Sequence, residues 1–511
     1  MTSLPGFWRG WLAVATAALV VFAVGAGNGR PTVFPDTATY YAQGEYLAVR
    51  MGLAPAETAA WRRTDPNSLL PGSPAMATGK PTTIASARSA WYGLFLFLSH
   101  RAGTLWLLAA LQALMAGWLL WGATRAILPQ RAWTAFPGVV AVTALGASLP
   151  FFTAFAMPDV FAGFGVLSGL LLLLYPERLA RWERVALWAM LAASFSFHTS
   201  NLLVMGVVIV AGAGLLLRQG MERAVVLRRT GGLAAAFAAA LLANGGFAAA
   251  YRMDTGEAQG APPFLMARLL ADGPGRAYLR QACPGGVSPT LCRFVEKPLD
   301  SESHILWSND PDLGVFRLSS ATVRRQLKAE ERAFVLAVLA HDPAGVAAAA
   351  ASNSFAQLLM FYVDDPLRHP AGLLAGEWRT AAPAMLVPGI ERCAEKADPC
   401  RSRASMTRLL ALHGVTLVLA LLLLGAFVGD PRTLFARNSG ESEDLRRLRL
   451  AAALLLTAIV ANAVVCGALS GPFARYEARM IWLVPLFATL AMYVRPLRLR
   501  RPQRLTAGAP A

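Results

Sequence analysis

Two aspartates, three arginines and a histidine stand out in a chain otherwise short of charge. Asp36 lies in "FPDTATYY", Asp159 in "MPDVFAG" and His198 in "FSFHTSN". Arg88 precedes Tyr92 in "ARSAWYGLFLFL", and Arg475, Tyr476, Glu477 and Arg479 share "ARYEARMIW". A carboxylate can take the proton of a hydroxyl as that oxygen attacks. Guanidinium groups grip phosphate oxygens in pairs and stabilise charge on a departing phosphate. The set therefore suits transfer away from a phosphate. Asp36 and Asp159 are the candidate catalytic carboxylates, Arg88, Arg475 and Arg479 the phosphate ligands. His198, Tyr40 and Glu45 are further substrate-binding candidates. No Gly-rich nucleotide loop stands in a strand–helix context, and neither a zinc-binding HExxH helix nor a GxSxG elbow occurs.

Each residue also has a plainer reading. Asp36 and Asp159 both stand where a helix would begin and could cap its free N–H groups. Tyr40, Tyr41 and Tyr92 suit an aromatic belt at a membrane surface. His198 could be a hydrogen-bonded turn residue, and Arg475 and Arg479 could pair with Glu477 or with lipid headgroups.

The elements that must position these groups are apolar. Of 511 residues, 56% are hydrophobic and 15% charged, against roughly a quarter charged in a soluble domain. The pattern predicts an all-α polytopic membrane protein with about ten spans, at 10–27, 102–123, 134–150, 160–175, 184–198, 201–217, 231–250, 407–427, 448–470 and 479–494. The first run is long enough to remain as a span and lacks a convincing cleavage site. The net charge of +17 comes mainly from arginines between spans, which points to membrane orientation and not to nucleic acid. With both termini cytoplasmic, the loops holding Arg125, Arg178, Arg218, Arg228 and Arg446 face inward, as does the tail "RPLRLRRPQR". The short connections after the third and fifth spans carry no Lys or Arg and face outward.

This topology divides the chain into a transmembrane module (1–250), an external segment (251–406) and C-terminal spans with a basic tail (407–511). A first external loop covers 28–101, and its "SAWYGLFLFLSH" is too short to span and reads as an interfacial or re-entrant helix. The second external segment holds amphipathic stretches such as "ATVRRQLKAEERAFVLAVLAHD" and is long enough for a small helical subdomain. Four of the five cysteines fall in it as close pairs, Cys283 with Cys292 and Cys393 with Cys400. That distribution predicts disulfides in an oxidising compartment.

In the order and sidedness of these motifs the chain resembles the GT-C superfamily of membrane glycosyltransferases, especially bacterial aminoarabinose and protein mannosyl transferases that use polyprenyl-phosphate sugars. "FPDTATYY" looks like the family's first-loop acidic motif, with Asp36 in the place of the catalytic base. "MPDVFAG" looks like the second external acidic site, and "RYEARMIWLVPL" resembles the Arg/Tyr-rich start of a late span. The resemblance implies a polyprenyl-phosphate-linked sugar as donor and a lipid, glycan or protein as acceptor, at the outer face of a bacterial plasma membrane. The family's adjacent acidic pair is missing, since Thr37 follows Asp36, so dependence on a divalent cation stays open. The 251–406 segment also sits between spans instead of after the last. The alternatives are a transporter or lipid flippase, and a non-enzymatic envelope assembly factor.

Overall fold

The computed structural model describes residues 6–55, 88–255, 261–284, 289–308, 310–363, 406–429 and 442–494. Its first helices are α1 (Gly6–Gly27), α2 (Pro35–Arg50), α3 (Ala90–Ala102), α4 (Leu105–Ile127), α5 (Ala132–Leu145), α6 (Leu149–Ala154) and α7 (Val160–Leu174). There follow α8 (Arg181–Phe197), α9 (Thr199–Arg218), α10 (Arg223–Thr255), α11 (Phe264–Asp272), α12 (Pro274–Ala282) and α13 (Glu302–Trp307). The last are α14 (Ala321–His341), α15 (Pro343–Leu359), α16 (Met406–Val428), α17 (Glu443–Leu469), α18 (Arg475–Ile481) and α19 (Leu483–Val494).

The protein is an all-helical, multi-pass membrane protein, with seven described helices long and apolar enough to cross a bilayer, α18 and α19 counting as one. Ten spans were expected. The other three, at 134–150, 160–175 and 184–198, prove to be α5, α7 and α8, of 14, 15 and 17 residues. All three are shorter than the roughly 20 residues of a typical span. Every residue of α7 is buried, and it runs from Asp159 at one end of the bundle toward the ion pairs of Glu177 and Arg178 at the other.

One hydrophobic core runs through the bundle, and a smaller one, around Met266, Leu270, Ile305 and Phe334, organises α11–α14. Cys283 and Cys292 form a disulfide in this smaller unit, while Cys393 and Cys400 lie outside the described residues. Helix α14 covers the predicted amphipathic stretch and then turns sharply into α15, at 104°. Pro343 opens the second helix, and Asp342 Oδ1 accepts from the Gly345 N–H at 2.8 Å.

The two ends of the bundle differ. At one, arginines bridge separate helices: Arg125 meets Glu183 at 2.5 Å, Arg178 pairs with Asp444, and Glu177 takes both Arg229 and Arg447. At the other, α2 lies against α3 with almost no space between their backbones. A Cβ at Gly44 would sit 1.9 Å from the carbonyl carbon of Gly93, and one at Gly93 would sit 2.1 Å from the Tyr40 carbonyl oxygen. Small residues at a crossing let helices approach this closely where no side chain could fit. Tyr40 and Tyr92 meet edge to face at 5.2 Å, as do Tyr41 and Phe97. All three tyrosines are buried between helices, so they are packing residues of this crossing and not an exposed belt.

Replacing Gly44 by alanine should therefore wedge the two helices apart, at a cost of about 3 kcal/mol. Alanine at Gly122, where a Cβ meets nothing within 4 Å, should instead be neutral or stabilise by up to ~1 kcal/mol. Thermal unfolding of the two purified variants in detergent checks this contrast.

Candidate functional site

The chain between α1 and α2 and the chain between α6 and α7 are both irregular, and they are stitched together. Thr32 donates its N–H to the Ala154 carbonyl at 3.0 Å, and Ala156 donates to the Thr32 carbonyl at 2.9 Å. Thr37 extends the join, its hydroxyl donating to the Ala156 carbonyl at 3.1 Å and accepting from the Phe34 N–H at 2.8 Å. From below, Gln112 of α4 donates to the carbonyls of Thr153 and Phe155 at 2.9 and 3.1 Å. The Phe34 and Phe155 rings pack edge to face at 4.9 Å. Asp36 and Asp159 follow this join at the same interval, four residues after Thr32 and Phe155 respectively.

Neither aspartate caps a helix through its side chain. Asp36 is the second residue of α2, whose N-cap is Phe34, and Asp159 occupies an N-cap position without making the bond. Asp36 is held by two arginines from distant parts of the chain: Arg88 reaches Oδ1 at 2.6 Å and Arg475 reaches Oδ2 at 3.2 Å. Arg475 also lies over the rings of Phe34 and Tyr476, at 5.5 and 5.4 Å. Burial by itself would raise the Asp36 pKa. The two guanidinium groups outweigh it and hold the carboxyl below its ordinary range.

Asp159 faces Arg479 instead, at 3.8 Å. Arg479 is fully buried, and its Nη2 donates to Asn462 Oδ1 at 2.8 Å and to Ser200 Oγ at 2.9 Å. Asn462 in turn donates to Glu477 Oε2 at 3.0 Å and to the Tyr476 carbonyl at 2.6 Å. The pairing of Arg475 and Arg479 with Glu477 that the sequence allows is thus not adopted. Within this network Arg479 Nη1 and Nε and Glu477 Oε1 have no hydrogen-bond partner among the described residues.

His198 caps α9, its Nδ1 accepting from the Ser200 N–H at 3.3 Å. That bond puts the ring proton on Nε2. Burial, followed by the positive charges of Arg479, Arg88 and Arg475, pushes its pKa well below the ordinary value. The imidazole is neutral at physiological pH. The turn-residue reading of His198 and its closeness to the arginines hold together.

Of the sequence candidates, Asp36, Tyr40, Arg88, Asp159, His198, Arg475 and Arg479 come to one end of the bundle. Glu45 lies at the same end, nine residues further along α2 and about 13 Å from Asp36 along its axis, where its charge acts on Tyr41. Among the described residues no group of three or more His, Cys, Asp or Glu is placed to hold a metal. Sequence reasoning missed Gln112, Ser200 and Asn462. The two amides carried a readable signal, since each is a lone polar residue in an apolar run, where such groups are costly unless bonded.

No family model matches the chain, and neither a curated protein nor a solved structure does.

Because its folded pKa is lowered, Asp36 contributes stability above the ordinary carboxylate pKa, and that contribution is lost as pH falls through the folded value. An infrared titration of wild type minus Asp36→Asn should find this carboxylate still ionised below about pH 4. Arg475→Gln should move the midpoint upward and bring the acid loss of stability to higher pH.

Proposed function

We propose that this protein transfers a sugar from a polyprenyl-phosphate-linked donor to a hydroxyl-bearing acceptor, a lipid, glycan or protein, at the outer face of a bacterial plasma membrane. The observation that carries the reading is the Asp36 carboxylate held between Arg88 and Arg475, beside the buried Arg479–Asp159 pair. The ring of arginines at the opposite end of the bundle supports a cytoplasmic assignment for that end.

A carboxylate compensated by two arginines is a weak base. A donor phosphate would compete for the same guanidinium groups, and their withdrawal would raise the basicity of Asp36 where the acceptor must be deprotonated. The acceptor oxygen then bonds to the anomeric carbon, its proton passes to Asp36, and the sugar–phosphate bond breaks with its electron pair leaving on the polyprenyl phosphate. The arginines stabilise the charge that develops there. His198, neutral and protonated on Nε2, can donate one hydrogen bond to a phosphate oxygen but adds no charge. Asp159 keeps the buried Arg479 compensated.

One observation favours transport as a second reading: Asn462, Glu477 and Arg479 belong to spanning helices and are wholly buried, as ionisable groups on a substrate path often are. Asp36→Asn separates the two. In a deletion strain complemented at equal abundance, transfer predicts that one sugar increment in the envelope glycans returns with wild type. With the variant it should be reduced by about 100-fold or more. Mass spectrometry of glycolipids and glycans reads the outcome, and full restoration by Asp36→Asn would remove the carboxylate from the mechanism.

A further inference from the structure

Helix α15 does not look like part of a water-exposed subdomain. Its 17 residues, "PAGVAAAAASNSFAQLL", include no charged side chain, whereas α14 before it displays Arg325 and Lys328 to the surroundings. Along α15 the exposed residues are Ala344, Ala347, Ala348, Ala351, Phe355 and Leu359 with the first-turn Pro343 and one polar residue, Ser352; Phe355 is 64% exposed and Leu359 58%. A helix at the surface of a soluble domain keeps its polar residues on that side.

The direction of the helix gives the reason. Near its start, Val346 packs on the smaller core, but at its end Leu358, Phe361 and Val363 belong to the core of the bundle. Between them α15 lies against α17 at Gly467, where a Cβ would come 2.6 Å from the Asn353 carbonyl oxygen. The chain thus descends from the small unit into the level of the spans, and Phe361 reaches the neighbourhood of Gly414 in α16. The neighbouring α16 and α17 also turn apolar side chains outward, Val415 and Val460 among them. Those are spanning helices, and what their apolar outer faces meet is lipid.

We propose that the second half of α15 and the residues just after it are inserted in the leaflet at the site end of the bundle, with Phe355, Leu359 and Tyr362 in contact with lipid acyl chains. It is a membrane-penetrating element outside the seven spans. It also reaches the site. Gln357, on the protein-facing side, donates to the Phe473 carbonyl at 3.0 Å and accepts from the Phe473 N–H at 2.9 Å. Phe473 stands two residues before Arg475, so the inserted helix and the loop that delivers Arg475 are fastened together. The insertion is independent of the transfer reading.

The full-length protein in proteoliposomes tests it without any activity assay. Phe355→Cys and Leu359→Cys are reacted with a charged, membrane-impermeant maleimide and with a lipid-soluble one, and the modified peptide is read by mass spectrometry. Arg325→Cys on α14 is the water-side reference and Val460→Cys on α17 the lipid-side reference. Thiols in an apolar environment form little thiolate, so the charged reagent should modify both α15 positions at least ~10-fold more slowly than Arg325→Cys. The lipid-soluble reagent should reach them as it reaches Val460→Cys. Modification by the charged reagent at the Arg325→Cys rate would put α15 in water and overturn the proposal. Modification by the lipid-soluble reagent far slower than at Val460→Cys would mean that protein covers this face, and would overturn it equally.

Discussion

Backbone that leaves helical geometry within a membrane bundle has no water to complete its hydrogen bonds, so other parts of the chain must supply them. The rest of the candidate site depends on how this is met between α6 and α7. Thr32 exchanges two backbone bonds with that segment, Gln112 covers two of its carbonyls and Thr37 a third. The consequence is positional. Two loops widely separated in sequence are locked side by side, and each delivers an aspartate to the same end of the bundle. Replacing Gln112 with an apolar residue would leave two carbonyls without this donor, at a cost of about 1–3 kcal/mol for each buried group left unsatisfied.

The charges then sort themselves by what each can reach. Arg88 and Arg475 take Asp36, which is partly exposed, while Arg479 lies deeper, fully buried among Asn462, Ser200 and Asp159. An arginine wholly inside a bundle is tolerated only when it is compensated and hydrogen-bonded. The free valences left on Arg479 and Glu477 therefore mark the place where the network is least complete. The two halves of the site differ in kind: one is an ion triad near the surface, the other a buried polar network that neighbouring helices hold in place.

Much of this was legible in the sequence, but unevenly. Apolar runs located helices at all ten positions read as spans, seven of them long and apolar enough to cross a bilayer, and α7 is as apolar as these although every residue of it is buried. The acidic and basic motifs fall together at one end of the bundle. Their pairing was not readable: "ARYEAR" offers Glu477 to its own arginines, whereas the fold turns Arg475 to Asp36 and gives Glu477 to Asn462. Which partner wins is decided by helix packing at Gly44, Gly93 and Gly467, and a glycine in a sequence does not announce what it touches. Glu45, close to Asp36 in sequence, is set about 13 Å from it by the rise of α2 along its axis.

The ion triad also has an order of assembly. Asp36 and Arg88 emerge during synthesis well before Arg475, which is 439 positions beyond Asp36 and belongs to the last described span. Domains of a growing chain tend to fold from the N-terminus onward, so the α2–α3 crossing can form while most of the protein is still unmade. For that interval Asp36 has one guanidinium partner and not two. A chain interrupted before its final span would keep the crossing yet lack Arg475 and Arg479 altogether, which makes insertion of that last hairpin the step that completes the site.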